Sequence, residues 1–181
     1  MRERHTPTSS TGISHSAGPV RRIERSTRSE IAAISPCVDQ LMLFVKKCRC
    51  VPGSEIDVEV SLREALANAV VHGNHEDPHK HVYVGCCCMP NQEVTMVVRD
   101  EGKGFSRTEV PNPTNVEQLE STHGRGVYLI TTLMDEVHFD RGGAEVHMRK
   151  CPPRVTTPGE GFVAKKTIST LIKWNLEIVH R

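Results

Sequence analysis

The chain has 181 residues, which is enough for one ordinary domain with appendages and too few for two comfortable domains. Its 23 Lys and Arg nearly balance its 22 Asp and Glu, for a net charge of +1, so the basic footprint of a nucleic-acid-binding protein is missing. The longest apolar runs, such as LMLFV at 41–45, fall far short of the roughly 18 residues that a membrane span needs. No apolar stretch follows the first arginines, so we expect no secretory signal and a cytoplasmic protein.

Hydrophobic periodicity and turn residues divide the chain into seven elements. Residues 1–19 are rich in Ser, Thr, Pro and Gly without periodicity and predict a disordered tail. The predicted elements are an edge strand at 20–26, a helix over 30–48 with Ser29 as N-cap, a helix over 55–73, strands at 81–89 and 93–100, a helix over 126–137 and a strand at 144–150. This order predicts an α+β domain over 20–150, a two-layer sandwich in which about three helices cover one face of a mixed sheet. Residues 151–181 are left as a C-terminal extension.

The first motif with chemical potential lies on the second predicted helix. Apolar residues at helical spacing form one face of that helix, and Glu64 and Asn68, four residues apart, share a different face. A carboxylate beside an amide suits metal-assisted phosphate chemistry, because the carboxylate can take a proton and the amide oxygen can ligate Mg²⁺. The same pair is also compatible with an exposed polar flank.

Two glycine motifs follow in the second half of the chain. In DEGKGF, Asp100 ends an apolar strand, and Gly102 and Gly104 allow the backbone to turn sharply and to approach a ligand closely. In HGRGVYLI, the glycines at 124 and 126 directly precede a predicted helix, whose free amide groups would form an anion site. Each motif alone is weak evidence, and the three together in this order are much stronger.

The three segments together resemble a known ATPase superfamily. The stretches EALANAVVHGN (64–74), VVRDEGKGF (97–105) and HGRGVYLITTLMDEV (123–137) look like the N, G1 and G2 boxes of the Bergerat-fold ATPases. The short spacing between the boxes, and the LMDEV that closes the last one, are most similar to the bacterial anti-sigma factor serine kinases of the RsbW and SpoIIAB type. The resemblance covers roughly residues 20–150.

The resemblance implies a role for each motif residue. Glu64 would be the general base that activates the serine hydroxyl of a protein substrate, and Asn68 would hold the Mg²⁺ that bridges the phosphates of ATP. Asp100 would bind the adenine amino group. The glycines would lie along the nucleotide, with Gly102 and Gly104 beside the adenine, and Gly124, Arg125 and Gly126 over the phosphates.

The segment between the last two boxes would be the ATP lid. It spans Ser106 to Thr122, and its length is typical of a functional loop. Arg107 is its single basic residue, so phosphate contacts would depend mainly on backbone amides and Arg125. Family members often carry Thr where this chain has Ala144, and the loss of that hydroxyl would cost on the order of 1 kcal/mol of binding.

Two further clusters suggest other chemistry. His72, His75, His79 and His81 crowd into one loop, but their spacing matches no zinc pattern. The cysteines at 48, 50 and 86–88 suggest a redox sensor, although buried and inert thiols are the better interpretation.

The function that the resemblance implies is an anti-sigma factor with ATP-dependent serine kinase activity. Such a protein phosphorylates an anti-sigma-factor antagonist and sequesters a sigma factor by partner switching, and we expect it to form a homodimer near the strand at 20–26. Direct binding to nucleic acid or to membranes is not expected. The alternative is a nucleotide-binding partner-switch regulator that transfers no phosphate. A histidine-kinase catalytic domain is disfavoured, because no dimerisation helix with a phosphoacceptor His precedes the domain.

Overall fold

The structure, a computed structural model, describes residues 18–104 and 122–153. Within these ranges it contains three α-helices and five strands, and the first two helices lie between the first two strands. The strands are β1 (Arg21–Arg28), β2 (His81–Cys88), β3 (Val94–Arg99), β4 (Glu136–Asp140) and β5 (Glu145–Lys150). The helices are α1 (Ile31–Cys48), α2 (Glu55–Ala67) and α3 (Thr122–Leu133), and a π-helical turn, Asn68–Gly73, extends α2.

The five strands form one sheet in the order β1-β2-β3-β5-β4, and β1 is at an edge, as predicted. Every described pair of neighbouring strands is antiparallel. The prediction of an α+β sandwich with helices on one face is confirmed, but the prediction of a mixed sheet is wrong. The predicted elements lack β4, and the third predicted helix extends to Val137, whereas α3 ends at Leu133 and β4 begins at Glu136. Strand β4 runs in the same direction as β3, but β5 lies between them and is antiparallel to both.

The core lies between the helices and one face of the sheet. Helix α1 contributes a buried stripe at helical spacing, made of Ile34, Cys37, Val38, Leu41, Met42 and Val45. Helix α2 contributes Val58, Leu62, Ala65 and Leu66 at the same spacing. Alternate residues of the central strands face these helices, among them Val84, Cys86, Val98 and Met148. Burying each of the larger side chains stabilises the fold by roughly 1.5–3 kcal/mol.

The start of α1 differs from the prediction. Glu30 is the N-cap residue and makes no side-chain hydrogen bond, so the prediction of Ser29 as the cap is wrong. Ser29 is instead fully buried, and its N–H donates to the carbonyl of Lys80 at 3.0 Å. This bond ties the end of β1 to the segment before β2.

Lys150 links α2 and α3 to the sheet. Lys150 on β5 donates to the carbonyl of Leu133 at 2.6 Å and pairs with Asp57 on α2 at 2.8 Å. A cation at the last carbonyl of α3 is favourable because the helix dipole is negative there. The contact fixes α2 relative to α3, and the candidate site lies between these two helices.

None of the helices within 18–104 and 122–153 has the length and apolar character that crossing a membrane requires. The predicted tail at 1–19 lies almost wholly outside the described residues, as do most of the C-terminal extension and of the lid.

The cysteines in the described residues are mostly buried, as expected. Five of them lie in the interior, and Cys48 and Cys151 are partly exposed. Burial raises the pKa of Cys50 above the ordinary thiol value, and a hydrogen bond with Cys86, together with burial, raises that of Cys88, so both thiols stay protonated at neutral pH.

Candidate functional site

The structure brings the first and third motifs together at the contact between α2 and α3. Glu64 lies in the last turns of α2, and Asn68 opens the π-helical turn that follows. A methyl group built on Gly126 of α3 would lie 2.9 Å from Glu64 Oε2 and 3.3 Å from Asn68 Oδ1. The carboxylate and the amide therefore face the same point of α3, and a side chain there would require the Glu64 carboxylate to move.

The start of α3 differs from the prediction in one respect. The helix begins at Thr122, so Gly124 and Gly126 lie inside its first turns and do not precede it. The amide groups that have no partner within the helix are therefore those of its first four residues, up to Arg125. Arg125 is exposed next to this end, which places a positive charge near the free amides. The anion site stays a prediction, and the free amides that would form it lie nearer the N-terminus of the motif than expected.

The second motif forms the other side of the site, at the end of β3. The N–H of Asp100 donates to the carbonyl of Ala144 at 3.0 Å, and its Oδ1 accepts the N–H of Gly102 at 2.8 Å. Its carboxylate lies directly against Gly73, where any side chain would overlap it. Asp100 is thus fixed through its backbone on one side and its side chain on the other, at the point where the π-helical turn of α2 ends.

Burial shifts the pKa of Asp100. Desolvation raises the pKa of this carboxyl above its ordinary value, while the N–H of Gly102 and the charge of Lys80 act in the opposite direction. A partly buried carboxylate with one bound N–H retains a free oxygen for a hydrogen-bond donor of a ligand.

The glycines of the second motif are required by close approach of the backbone. A side chain at Gly102 would overlap the carbonyl of Gly73, and one at Gly104 would overlap the carbonyl of Gly142. Gly104 also has a φ of +74°, which L side chains rarely adopt. The glycine turn is therefore packed between the end of α2 and the turn before β5.

Two residues that the sequence analysis did not select hold this turn in place. Asn74 is fully buried, accepts the N–H of Glu101 at 2.9 Å and donates to the carbonyl of His81 at 2.9 Å. Glu101 accepts the hydroxyl of Tyr83 at 2.8 Å and the N–H of His81 at 3.1 Å. The Tyr83 hydrogen bond lowers the pKa of Glu101.

The other predicted residues have simple placements. Ala144 lies next to Asp100 through its carbonyl, and its buried side chain offers no hydroxyl to a ligand. His72, His75 and His79 are exposed in the segment that joins α2 to β2, where His81 begins the strand. The predicted lid and Arg107 lie outside the described residues, except for Thr122, which begins α3.

Comparison with known proteins agrees with this architecture. The family model described as a histidine kinase-like ATPase domain matches residues 27–150, about two thirds of the chain, and the match includes every site residue named above. The three sequence motifs predict this class of protein, and the observed α+β sandwich agrees with the prediction.

Individual relatives narrow the class further. The anti-sigma F factor of Oceanobacillus iheyensis is 31% identical over 128 residues, which cover 67% of this chain and 77% of that protein. The anti-sigma F factor of Bacillus subtilis is 32% identical over 115 residues, 62% of this chain and 68% of that protein. One from a Geobacillus strain is 31% identical over 126 residues, 66% of this chain and 75% of that protein. The chain therefore belongs to the histidine kinase-like ATPases and, among them, to the anti-sigma factor family.

Proposed function

We propose that this protein is an anti-sigma factor that binds ATP and transfers its γ-phosphate to a serine of an antagonist protein. The observation that carries the proposal is the meeting of Glu64 and Asn68 at Gly126, because it gathers a base, an oxygen ligand and a helix N-terminus at one point. The relatives named anti-sigma F factors support a sigma factor as the partner. The antagonist as phosphoryl acceptor follows from the family resemblance.

The donor set at Gly126 fits Mg²⁺. The amide oxygen of Asn68 is a hard oxygen donor, which Mg²⁺ prefers. Asn68 would hold the ion, and the bound ion supplies positive charge that stabilises the transferring phosphate. Asn68 thus has a binding role that is separate from the role of Glu64 as base.

The protein's own groups divide the remaining work. Asp100 accepts a hydrogen bond from the adenine amino group and fixes the base against the glycine turn. The free amides at the start of α3 and Arg125 bind the phosphate oxygens. Glu64 accepts the proton of the serine hydroxyl as the oxygen attacks, and the glycine at 126 leaves room for that approach.

A paired measurement on four proteins tests the proposal. ATP affinity is measured by calorimetry, and serine phosphorylation of a candidate antagonist by mass spectrometry. Asn68→Ala should reduce Mg²⁺-dependent ATP binding and phosphorylation together. Glu64→Gln should keep ATP bound but lower the transfer rate by roughly 10²- to 10⁴-fold. Glu59→Gln is the matched control, since Glu59 lies on the same helix and only pairs with Arg63 at 3.5 Å.

Two outcomes would contradict parts of the proposal. Transfer at the parent rate by Glu64→Gln would show that Glu64 is not the base. A parent protein that binds ATP and a sigma factor but phosphorylates nothing would favour the alternative, a partner-switch regulator without phosphoryl transfer. The buried methyl of Ala144, which offers no hydroxyl beside Asp100, is the observation that keeps this alternative open.

We also propose that the protein forms a homodimer. Strand β1 lies at the sheet edge, pairs with β2 along one side and is largely exposed, so its other side is available for a second copy. Light scattering should give the mass of a dimer at micromolar concentration with ADP, and a monomer mass would refute the assignment.

Residues 20–150 are proposed as the ATPase domain of a cytoplasmic protein, between the tail at 1–19 and the extension at 151–181.

A further inference from the structure

The outer edge of β1 has a definite hydrogen-bonding pattern. The N–H of Ser29 donates to the carbonyl of Lys80 at 3.0 Å, so the backbone of Ser29 points toward β2. Bonding direction alternates along an antiparallel strand, so the N–H groups of Glu24, Ser26 and Arg28 point the opposite way, away from β2. Because β1 ends the sheet order, these three N–H groups face the position that an added strand would take.

Symmetry and charge limit how two copies of β1 can pair. Directly opposite residues of an antiparallel pair lie on the same face, so under two-fold symmetry one residue of β1 lies on the axis and faces its own copy. The strand carries four arginines and one glutamate, namely Arg21, Arg22, Arg25, Arg28 and Glu24. Opposite charges across a strand pair are stabilising and like charges are destabilising, so the position of the axis decides the electrostatic free energy.

Most positions of the axis are unfavourable. An axis at Glu24 or at Arg25 sets two identical charges directly against each other. An axis at Ile23 opposes Arg21 to Arg25 twice, which offsets the attractive pairs it also makes. An axis at Thr27 overlaps only three residues of each strand and leaves Glu24 outside the pairing.

We propose that two copies of the chain pair along β1 with Ser26 on the two-fold axis. In this register Glu24 lies opposite Arg28 of the second copy, and the ion pair occurs twice by symmetry. Arg25 faces Thr27, so no like charges are directly opposed within the overlap, which spans residues 24–28. The inference rests on the homodimer proposed above and adds the register and the ion pairs that select it.

Both members of this ion pair are accessible in the single chain. Glu24 Oε1 lies 3.7 Å from Nε of Arg22, and Arg28 Nη1 lies 4.0 Å from Oε1 of Glu30. The side chains of Glu24 and Arg28 are 49% and 72% exposed, so water screens these contacts and they contribute little. Either side chain can therefore turn to the second copy at small cost.

Charge reversal at the paired positions tests the register. Analytical ultracentrifugation with ADP gives the dimer dissociation constant of the full-length parent, of Glu24→Lys and of Arg28→Glu. Each variant opposes like charges twice per dimer and should dimerise roughly 5- to 50-fold more weakly than the parent. An equimolar mixture of the two variants should form a heterodimer with nearly the affinity of the parent, because both pairs are then attractive. Glu59→Lys, a charge reversal on α2, is the control and should dimerise like the parent.

Cysteine cross-linking reads the register directly. Opposite Cα atoms in a hydrogen-bonded antiparallel pair lie about 5.5 Å apart, which is within disulfide range. Ser26→Cys should therefore form a disulfide with its own copy in oxidised glutathione, and mass spectrometry of the non-reduced digest identifies the linked peptides. Arg25→Cys should not link to its own copy, because in this register it lies opposite Thr27.

The outcomes separate the register from the homodimer itself. A parent protein that is monomeric with ADP would overturn both. A dimeric parent whose affinity is unchanged in Glu24→Lys and in Arg28→Glu would overturn the register alone. The same holds if mixing the two variants restores no affinity, or if Arg25→Cys links to its own copy more readily than Ser26→Cys.

Discussion

Replacing Gly73 by Ala probes whether Asp100 is held where an adenine ring would need it. Gly73 ends the π-helical turn, and its φ lies outside the left-handed region, so the backbone itself accepts alanine. The added methyl, however, would overlap the carboxylate of Asp100 and lie 2.6 Å from its Oδ1. That oxygen already accepts the N–H of Gly102, so the carboxylate can move away only by losing this bond.

The magnitude follows from two opposing effects. A Gly→Ala change in a helical turn by itself stabilises a protein by roughly 0.5–1 kcal/mol. Overpacking a filled site costs about 1–3 kcal/mol, so the net expectation is a loss of up to about 2.5 kcal/mol. For a chain of this size each kcal/mol shifts the melting temperature by about 2–4 °C. Displacing Asp100 from a hydrogen bond with the nucleotide should reduce ADP affinity by roughly 10- to 100-fold.

Thermal unfolding and ADP calorimetry on a double-mutant cycle give the test. In the Asp100→Ala background the methyl group of Gly73→Ala meets no carboxylate, so the substitution should be neutral or stabilising there. Gly18→Ala is the control, because nothing lies within 4 Å of its added methyl. A Gly73→Ala protein that melts higher than the parent and binds ADP equally well would refute the placement of Asp100 against Gly73.

Two further predictions concern pH and the buried amide. Because burial raises the pKa of Asp100, its protonated form stabilises the fold at low pH, and this contribution is lost as the pH rises through that pKa. ADP binding needs the ionised form of Asp100. Calorimetry should therefore show that ADP affinity falls on acidification at a higher pH than the pKa of an ordinary aspartate would predict. A fall in affinity at the ordinary pKa would contradict this. Asn74→Ala leaves Glu101 N–H and His81 C=O unpaired and should cost about 2–4 kcal/mol in urea unfolding, and a loss below 0.5 kcal/mol would be inconsistent with the observed bonds.

The sequence was sufficient where one local pattern decides the structure. The buried stripes of α1 and α2 follow a helical period, and Gly–Asn after α2 marks its end, so both helices were predicted nearly to the residue. Strands β2 and β3 were equally clear, because apolar residues bounded by turn residues predict strands. Asp100 follows β3 directly, and its position next to the glycine turn required no long-range information.

Pairing between strands that are distant in the sequence explains why β4 was not predicted. Strand β4 is five residues long and follows α3 after two residues, so its apolar Val137 looked like a further helical turn. Its identity depends on pairing with β5, which lies later in the chain. Without β4, the step from β3 through a helix to the last strand resembled a parallel crossover, and a mixed sheet followed. Asn74 was missed for a related reason, since its partners Glu101 and His81 come from other segments.

The relative affinity for ATP and GTP, measured by calorimetry with Mg²⁺ on the parent protein and on Asp100→Asn, tests the nucleotide site most directly. Adenine presents an amino group where guanine presents a carbonyl, and an ionised Asp100 can accept a hydrogen bond only from the former. We predict that the parent binds ATP and discriminates against GTP, and that Asp100→Asn loses most of the ATP affinity. Equal binding of ATP and GTP by the parent would contradict the assignment of Asp100 to the adenine.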